Sequence, residues 1–182
     1  VPKRVSELTA AELLNLQLEH GGRMVTLEQA LVQFGSARFN IDIKSQAAIE
    51  PTVAAILKTG AIDRVLVSSF SEKRRMAAIN QLPGVCTSAS ANKLLQVWLA
   101  WRLGLSGWLA KLLKSLDALQ LPTHRGVIRF DSEKFIREVS RHGTELHFWT
   151  INDPMLAQVL RARGAQGIVS DRIDDIIVAL AE

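Results

Sequence analysis

The segment Asn40-Ile41-Asp42-Ile43-Lys44 sets a carboxylate and an ammonium two residues apart between apolar neighbours. Side chains alternate across a strand, so Asn40, Asp42 and Lys44 share one face and Ile41 and Ile43 the other. The isoleucines are expected to meet a helix layer, and the polar three to face the interior of a barrel. Asp42 and Lys44 then stand about 6.6 Å apart along the strand. Charges buried near a barrel mouth need partners. A metal ion for the carboxylate and a phosphate for the ammonium supply both. A plain Asp42–Lys44 ion pair at a strand end is the simpler alternative.

Ligands of parallel α/β folds bind at the carboxyl ends of the strands, so the elements around this segment decide what it can do. Strand patterns occupy Arg38–Lys44, Asp63–Phe70, Gly84–Ser90, Ala118–Pro122, Glu145–Asn152 and Gly167–Asp171. Several are short apolar runs, the pattern of strands covered on both faces. Helical spacing covers Thr9–Leu16, Thr26–Phe34, Ile49–Thr59, Glu72–Gln81, Ser132–His142, Pro154–Arg163 and Ile173–Ala181. Thr9 with Glu12, Thr26 with Gln29 and Ser69 with Glu72 fit capping boxes. Asp153 before Pro154 is a further helix start, and Gly60, Gly143 and Gly164 are stops. Alternating strand–helix units imply parallel strands joined by crossovers. Six strand patterns are too few for a closed eight-stranded barrel. No GxGxxG or GxxxxGK[ST] occurs, so a nucleotide-binding open sheet lacks its usual support.

The 182 residues are 48% hydrophobic and 22% charged, within the globular range, and suit a single domain spanning 1–182. The net charge is only +4, and no run of five like charges occurs, so nucleic acid is not an expected partner. A lone cysteine, Cys86, excludes an internal disulfide and a thiolate zinc site and reads as a buried, reduced thiol. No apolar run is long enough to span a bilayer, and the opening residues carry no signal-peptide pattern. A cytoplasmic or membrane-peripheral location is therefore expected.

Residues 92–116 stand apart as an inserted helical segment. They hold Trp98, Trp101 and Trp108, and their charges (Lys93, Arg102, Lys111, Lys114) are all basic. Gly104 and Gly107 divide the segment into two helical halves. Such a composition suits contact with an anionic membrane surface. The alternative is a helix pair that packs its tryptophans on the barrel flank.

NIDIK, VLVSSF, ALQLP, HFWTIND and GAQGIVSDR, in that order, resemble the glycerophosphodiester phosphodiesterases, and the resemblance runs through nearly the whole chain. It implies a parallel α/β fold, a (β/α) barrel of TIM type lacking its first two or three strands. It also implies metal-dependent hydrolysis of glycerophosphodiesters to an alcohol and glycerol 3-phosphate, or the like cleavage of related lysophospholipids. Asp42 stands where the family places a metal-binding glutamate, one methylene longer, and is the implied ligand of a divalent cation, Ca or Mg. Lys44 matches the family lysine and is the implied catalytic contact to phosphate. Trp149 matches the tryptophan that lines the substrate pocket, with ordinary core as its alternative. Ser69 lies at a motif position but is expected to act as the helix cap. Asp171 matches the family's T-D strand end and equally fits a cap for the last helix.

The family also opens with H-R-G, E-x-D and H-D segments that carry its acid–base histidines and further metal carboxylates. None precedes NIDIK here, so the metal site is expected to be incomplete and the chain alone inactive. His124-Arg125-Gly126 comes too late in the order to replace them and is expected to be an exposed basic loop. His20, His142 and His147 fall outside the motifs, with His147 expected as a satisfied core histidine. The rival reading is a non-catalytic lipid- or partner-binding module using the basic Trp-rich segment. Unpaired sheet edges are expected to favour oligomerisation.

Overall fold

The structure, a computed structural model, describes residues 4–19 and 21–181. Two short helices open it, α1 (Ala10–Asn15) and α2 (Leu27–Gln33). The sequence then alternates: β1 (Phe39–Asp42), α3 (Ile49–Lys58), β2 (Val65–Ser68), α4 (Glu72–Ile79), β3 (Cys86–Thr87), α5 (Ala91–Arg102), α6 (Ser106–Leu113) and β4 (Ala118–Leu121). A hairpin of β5 (His124–Arg125) and β6 (Ile128–Arg129) follows. The chain ends with α7 (Glu133–Ser140), β7 (Glu145–Phe148), α8 (Pro154–Ala162), β8 (Gly167–Ile168) and α9 (Ile173–Ala181).

Parallel ladders run β1–β2–β3 and β4–β7–β8. A parallel bridge between Ser88 and Ala118 joins them. Hydrogen bonds from Ala89 N to Ala118 O (3.0 Å) and from Asp117 N to Thr87 O (2.9 Å) complete the seam. The result is one sheet of six parallel strands, two short of a closed TIM-type barrel. Among the described residues its edges are β1 and β8.

Local chemistry explains the helix starts. Thr9 with Glu12 and Thr26 with Gln29 form the expected capping boxes, and Asp153 accepts from the Met155 and Leu156 amides. Gly60, Gly143 and Gly164 take positive φ just beyond α3, α7 and α8, where a side chain would be strained. At the end of α2, Arg64 donates to the carbonyls of Leu31, Phe34 and Ala37, satisfying groups the helix leaves open.

The outward face of the sheet carries the core. Ile43, Val65 and Val67 pack with Leu31, Val53 and Ile56 from α2 and α3. Leu119, Leu121, Leu146 and Phe148 pack with Val97, Leu109, Phe135 and Leu160 from the helices beyond. Each such large side chain, once buried, contributes roughly 1.5–3 kcal/mol. Arg75 on α4 is also buried, forking onto Glu72 (2.9 and 2.8 Å) and reaching Thr87 Oγ1 (3.2 Å). That hydrogen-bonded guanidinium is the main reason the Glu72 carboxyl titrates below its ordinary range.

Cys86 departs from expectation: it is exposed rather than buried. Register explains this. Asn40, Leu66 and Cys86 are aligned across β1, β2 and β3 on the face opposite the helices, which the open sheet leaves uncovered. All six strand patterns are strands, but their ladders end earlier than the apolar runs do.

Candidate functional site

Asp42 is the last residue of β1 and lies opposite Ser68 on β2. Lys44 follows two residues later, on the same side. Its ammonium meets Asp42 Oδ2 at 3.4 Å, with side-chain exposures of 82% for Lys44 and 27% for Asp42. Sequence alternation therefore brings the two charges together as expected. Ile43, between them, is buried among the helices.

The second oxygen of Asp42, Oδ1, is buried and has no hydrogen-bond partner. An orphaned carboxylate oxygen suits a cation, which would repay its desolvation. Hard divalent cations, however, take six or more oxygens. Among the described residues no group of three or more His, Cys, Asp or Glu side chains is placed to hold a metal. One carboxylate does not make a cation site, and the residues described here do not complete one.

The backbone beneath the pair is clamped. Ser69 Oγ donates to Ile43 O at 2.7 Å, and Arg74 Nε donates to the same carbonyl at 3.2 Å. Arg74 Nε also reaches Ser69 Oγ at 3.2 Å. Ser69 is thus not the cap of α4. Ser71 caps that helix, accepting from the Arg74 amide at 3.4 Å. The reason is that the β2 ladder ends at Ser68, leaving Ser69 turned back onto β1 and the helix free to start later.

Phe70, at the end of the VLVSSF run, has a role that its spacing does not reveal. It follows β2 by two residues, just past Ser68, which lies opposite Asp42. There its ring meets Trp149 edge-on, with centroids 6.2 Å apart and planes at 72°. Phe70 is 60% exposed and Trp149 is partly buried. Trp149 follows the end of β7, held by its amide to Leu121 O at 3.1 Å. The ends of β2 and β7 therefore meet in one aromatic wall beside the Asp42–Lys44 end of β1.

Asn152 locks the neighbouring strand end. Its Oδ1 accepts from Ser170 Oγ and from the Asp171 amide, both at 2.9 Å. Its Nδ2 donates to Asp171 Oδ2 at 3.3 Å. Asp171 is engaged by this motif asparagine, two residues ahead of α9. Gln120 on β4 was also missed. It lies on the inner face beside His147, accepts from Ser88 Oγ at 3.4 Å, and leaves Nε2 buried without a partner. An isolated polar residue at an inward position of an apolar strand (ALQLP) is the signal that could have found it.

The histidines described have local partners. His147 Nε2 meets Glu145 Oε2 at 2.8 Å, and His142 Nε2 lies 3.8 Å from Glu138. His124 Nδ1 bonds Thr123 Oγ1 at 3.1 Å. His20 lies outside the described residues. His124-Arg125-Gly126 is exposed as expected, but it is a hairpin rather than a loop: Arg125 pairs with Ile128 around Gly126 and Val127. Glycine at the first turn position, with φ +59°, suits such a tight turn.

A parallel (β/α) sheet carrying a charged pair and an aromatic wall at its carboxyl ends defines a site of the TIM-barrel kind. Comparison with known proteins gives the family. A model of the glycerophosphoryl diester phosphodiesterase family matches residues 1–175. A Mycobacterium tuberculosis protein named probable glycerophosphodiester phosphodiesterase 2 is 34% identical over 182 residues, covering 98% of this chain and 69% of that protein. The fold resembles that of a glycerophosphodiester phosphodiesterase from Parabacteroides distasonis, with TM-score 0.68 at 19% identity, over 95% of this chain and 71% of that one. It also resembles one from Agrobacterium tumefaciens, with TM-score 0.69 at 15% identity, over 99% and 74%. An Oleispira antarctica phosphodiesterase solved with its product sn-glycerol-3-phosphate matches with TM-score 0.58 at 20% identity, over 85% and 59%. The chain belongs to the glycerophosphoryl diester phosphodiesterase family, a family of phosphodiester hydrolases.

Proposed function

We propose that this chain carries the phosphate and substrate-pocket side of a site that hydrolyses glycerophosphodiesters or related lysophospholipids. The observation that carries the reading is the Asp42–Lys44 pair at the end of β1, beside the Phe70–Trp149 wall. Water adds to phosphorus, the bond to the alcohol oxygen breaks, and the alcohol leaves with a proton, so that a glycerophosphodiester yields glycerol 3-phosphate and a lysophospholipid its acylated form. Lys44 is exposed enough to leave Asp42 and meet a phosphoryl oxygen, where its charge offsets negative charge in the transition state. The aromatic wall gives the carbon skeleton of the substrate an apolar surface. Product binding in the Oleispira antarctica relative supports the same ligand class here.

Asp42, whose Oδ1 is buried without a partner, would supply one oxygen ligand to a divalent cation, Ca or Mg, at a site that the described residues alone do not complete. Among the described residues His124, His142 and His147 are paired with Thr123, Glu138 and Glu145, and none of them takes the acid–base role in this reading. Residues 1–182 alone are therefore expected to bind product and to turn over poorly or not at all.

Titration calorimetry with sn-glycerol 3-phosphate, with and without Mg²⁺ or Ca²⁺, tests the binding half. Lys44→Ala and Trp149→Ala are expected to weaken binding. Affinity unchanged by both would overturn the assignment. Release of glycerol 3-phosphate from glycerophosphocholine tests the catalytic half: rapid, metal-dependent turnover by residues 1–182 would refute the expected inactivity.

A further inference from the structure

We propose that the outward face of the α5–α6 pair docks on an anionic lipid surface. α5 buries Val97 and Ala100 and turns Trp98 and Trp101 inward. Trp98 donates its indole N–H to Arg129 O at 3.3 Å, and Trp101 packs edge-on against Phe135 at 5.1 Å. Two of the tryptophans that made this segment interfacial by composition are thus fastened to the protein.

What faces away is leucine. Leu95, Leu99 and Leu103 follow one another at i, i+4 and i+8 on the opposite side of α5, all exposed, Leu103 by 65%. The row continues across Gly104 to Leu105 and Trp108, which are exposed while Leu109, Leu112 and Leu113 of α6 are buried. A helix facing water on one side keeps that side polar. Here the outward side of α5 sets three exposed leucines beside only two uncharged polar residues, Asn92 and Gln96.

Charge selects the occupant. No Asp or Glu occurs from Asn92 to Leu116. Arg102, Lys111 and Lys114 are exposed beside the leucine row, and among the described residues none of the three forms an ion pair. A second copy seated on this face would bring like charges together. An anionic bilayer receives the leucines and Trp108 at the acyl boundary and the cations at its headgroups.

Co-sedimentation of the full chain with vesicles tests this. Wild type is expected to pellet with equimolar phosphatidylglycerol and phosphatidylcholine and to remain in solution with phosphatidylcholine alone. The variant Leu95→Gln/Leu99→Gln/Leu103→Gln is expected to lose at least about tenfold in partitioning. Arg102→Gln/Lys111→Gln/Lys114→Gln is expected to lose the preference for anionic vesicles. If the triple leucine variant melts differently from wild type, Leu103→Gln alone carries the test. Equal pelleting with both vesicle types, no pelleting of wild type, or a leucine variant that pellets like wild type would overturn the proposal. So would self-association without vesicles that the leucine variant abolishes, since the occupant would then be a second copy.

Discussion

Replacing Ser69 by alanine probes how the charged end of β1 is held. Ser69 is buried, and its hydroxyl ties three groups: it donates to Ile43 O at 2.7 Å and accepts from the Ser71 amide at 3.3 Å and Arg74 Nε at 3.2 Å. Without it, Ile43 O keeps only Arg74 Nε, and the Ser71 amide loses its partner. Three hydrogen bonds are lost, but Arg74 and Ile43 keep each other and only the half-buried Ser71 amide is orphaned, which amounts to about 1–2 kcal/mol. In a chain of this length that lowers Tm by about 2–8 °C. Ser71→Ala is the matched control: it removes the cap that accepts from the Arg74 amide, at a cost of about 1 kcal/mol, and leaves Ile43 untouched. Urea and thermal unfolding are expected to show both losses. Titration with sn-glycerol 3-phosphate is expected to weaken only for Ser69→Ala, because only that variant frees the backbone between Asp42 and Lys44. A Ser69→Ala protein that loses less than about 0.5 kcal/mol, or binds like wild type, would refute the clamp.

Three further outcomes follow from the geometry. Gly167 lies opposite His147, and a methyl group there would sit 2.5 Å from the ring Cδ2; Gly167→Ala is expected to cost about 1–3 kcal/mol in chemical denaturation, with His147→Ala relieving it in a double-mutant cycle. Burial alone would raise the Asp131 carboxyl, but the hydrogen bonds and charge of Arg129, helped by Arg163, outweigh it and hold the group below its ordinary range. A depressed folded-state pKa adds stability above the unfolded aspartate pKa, about 3.9. That stability is lost as pH falls through the folded value, so acid titration of unfolding is expected to be flatter below pH ~4 for Asp131→Asn than for wild type. Although Cys86 is exposed, partial desolvation by its strand neighbours, then the Asp117 and Glu145 carboxylates, push its thiol up, so its alkylation near pH ~8 is expected to be slower than that of a free thiol, with Glu145→Gln speeding it.

The sequence made the parallel strand–helix order legible because each strand is a short apolar run and most helices carry explicit start and stop residues. It also revealed the face shared by Asp42 and Lys44, which follows from alternation alone. The strand-like patterns run past the last ladder pairs, so they do not mark where the strands end. Ser69, Phe70 and Trp149 all lie in those overhangs, so their roles depend on where hydrogen bonding stops. Ser69 is the instructive case: its spacing to Glu72 satisfies a capping box, yet Arg75 takes Glu72 and Ser71 takes the cap. The Phe70–Trp149 contact joins residues far apart in sequence and is set by the closeness of the β2 and β7 ends, which no local pattern encodes. Cys86 was placed inside because cysteines usually are, whereas its face of the open sheet has nothing packed on it. The β5–β6 hairpin escaped notice because strands of two residues carry no periodicity.

A crystal structure of residues 1–182 with sn-glycerol 3-phosphate tests the assignment of the site most directly. The phosphate is expected within ~3 Å of Lys44 Nζ, with the glycerol carbons against the Phe70–Trp149 wall. Phosphate seated elsewhere, for instance on the His124–Arg125 hairpin with Lys44 still on Asp42, would contradict it.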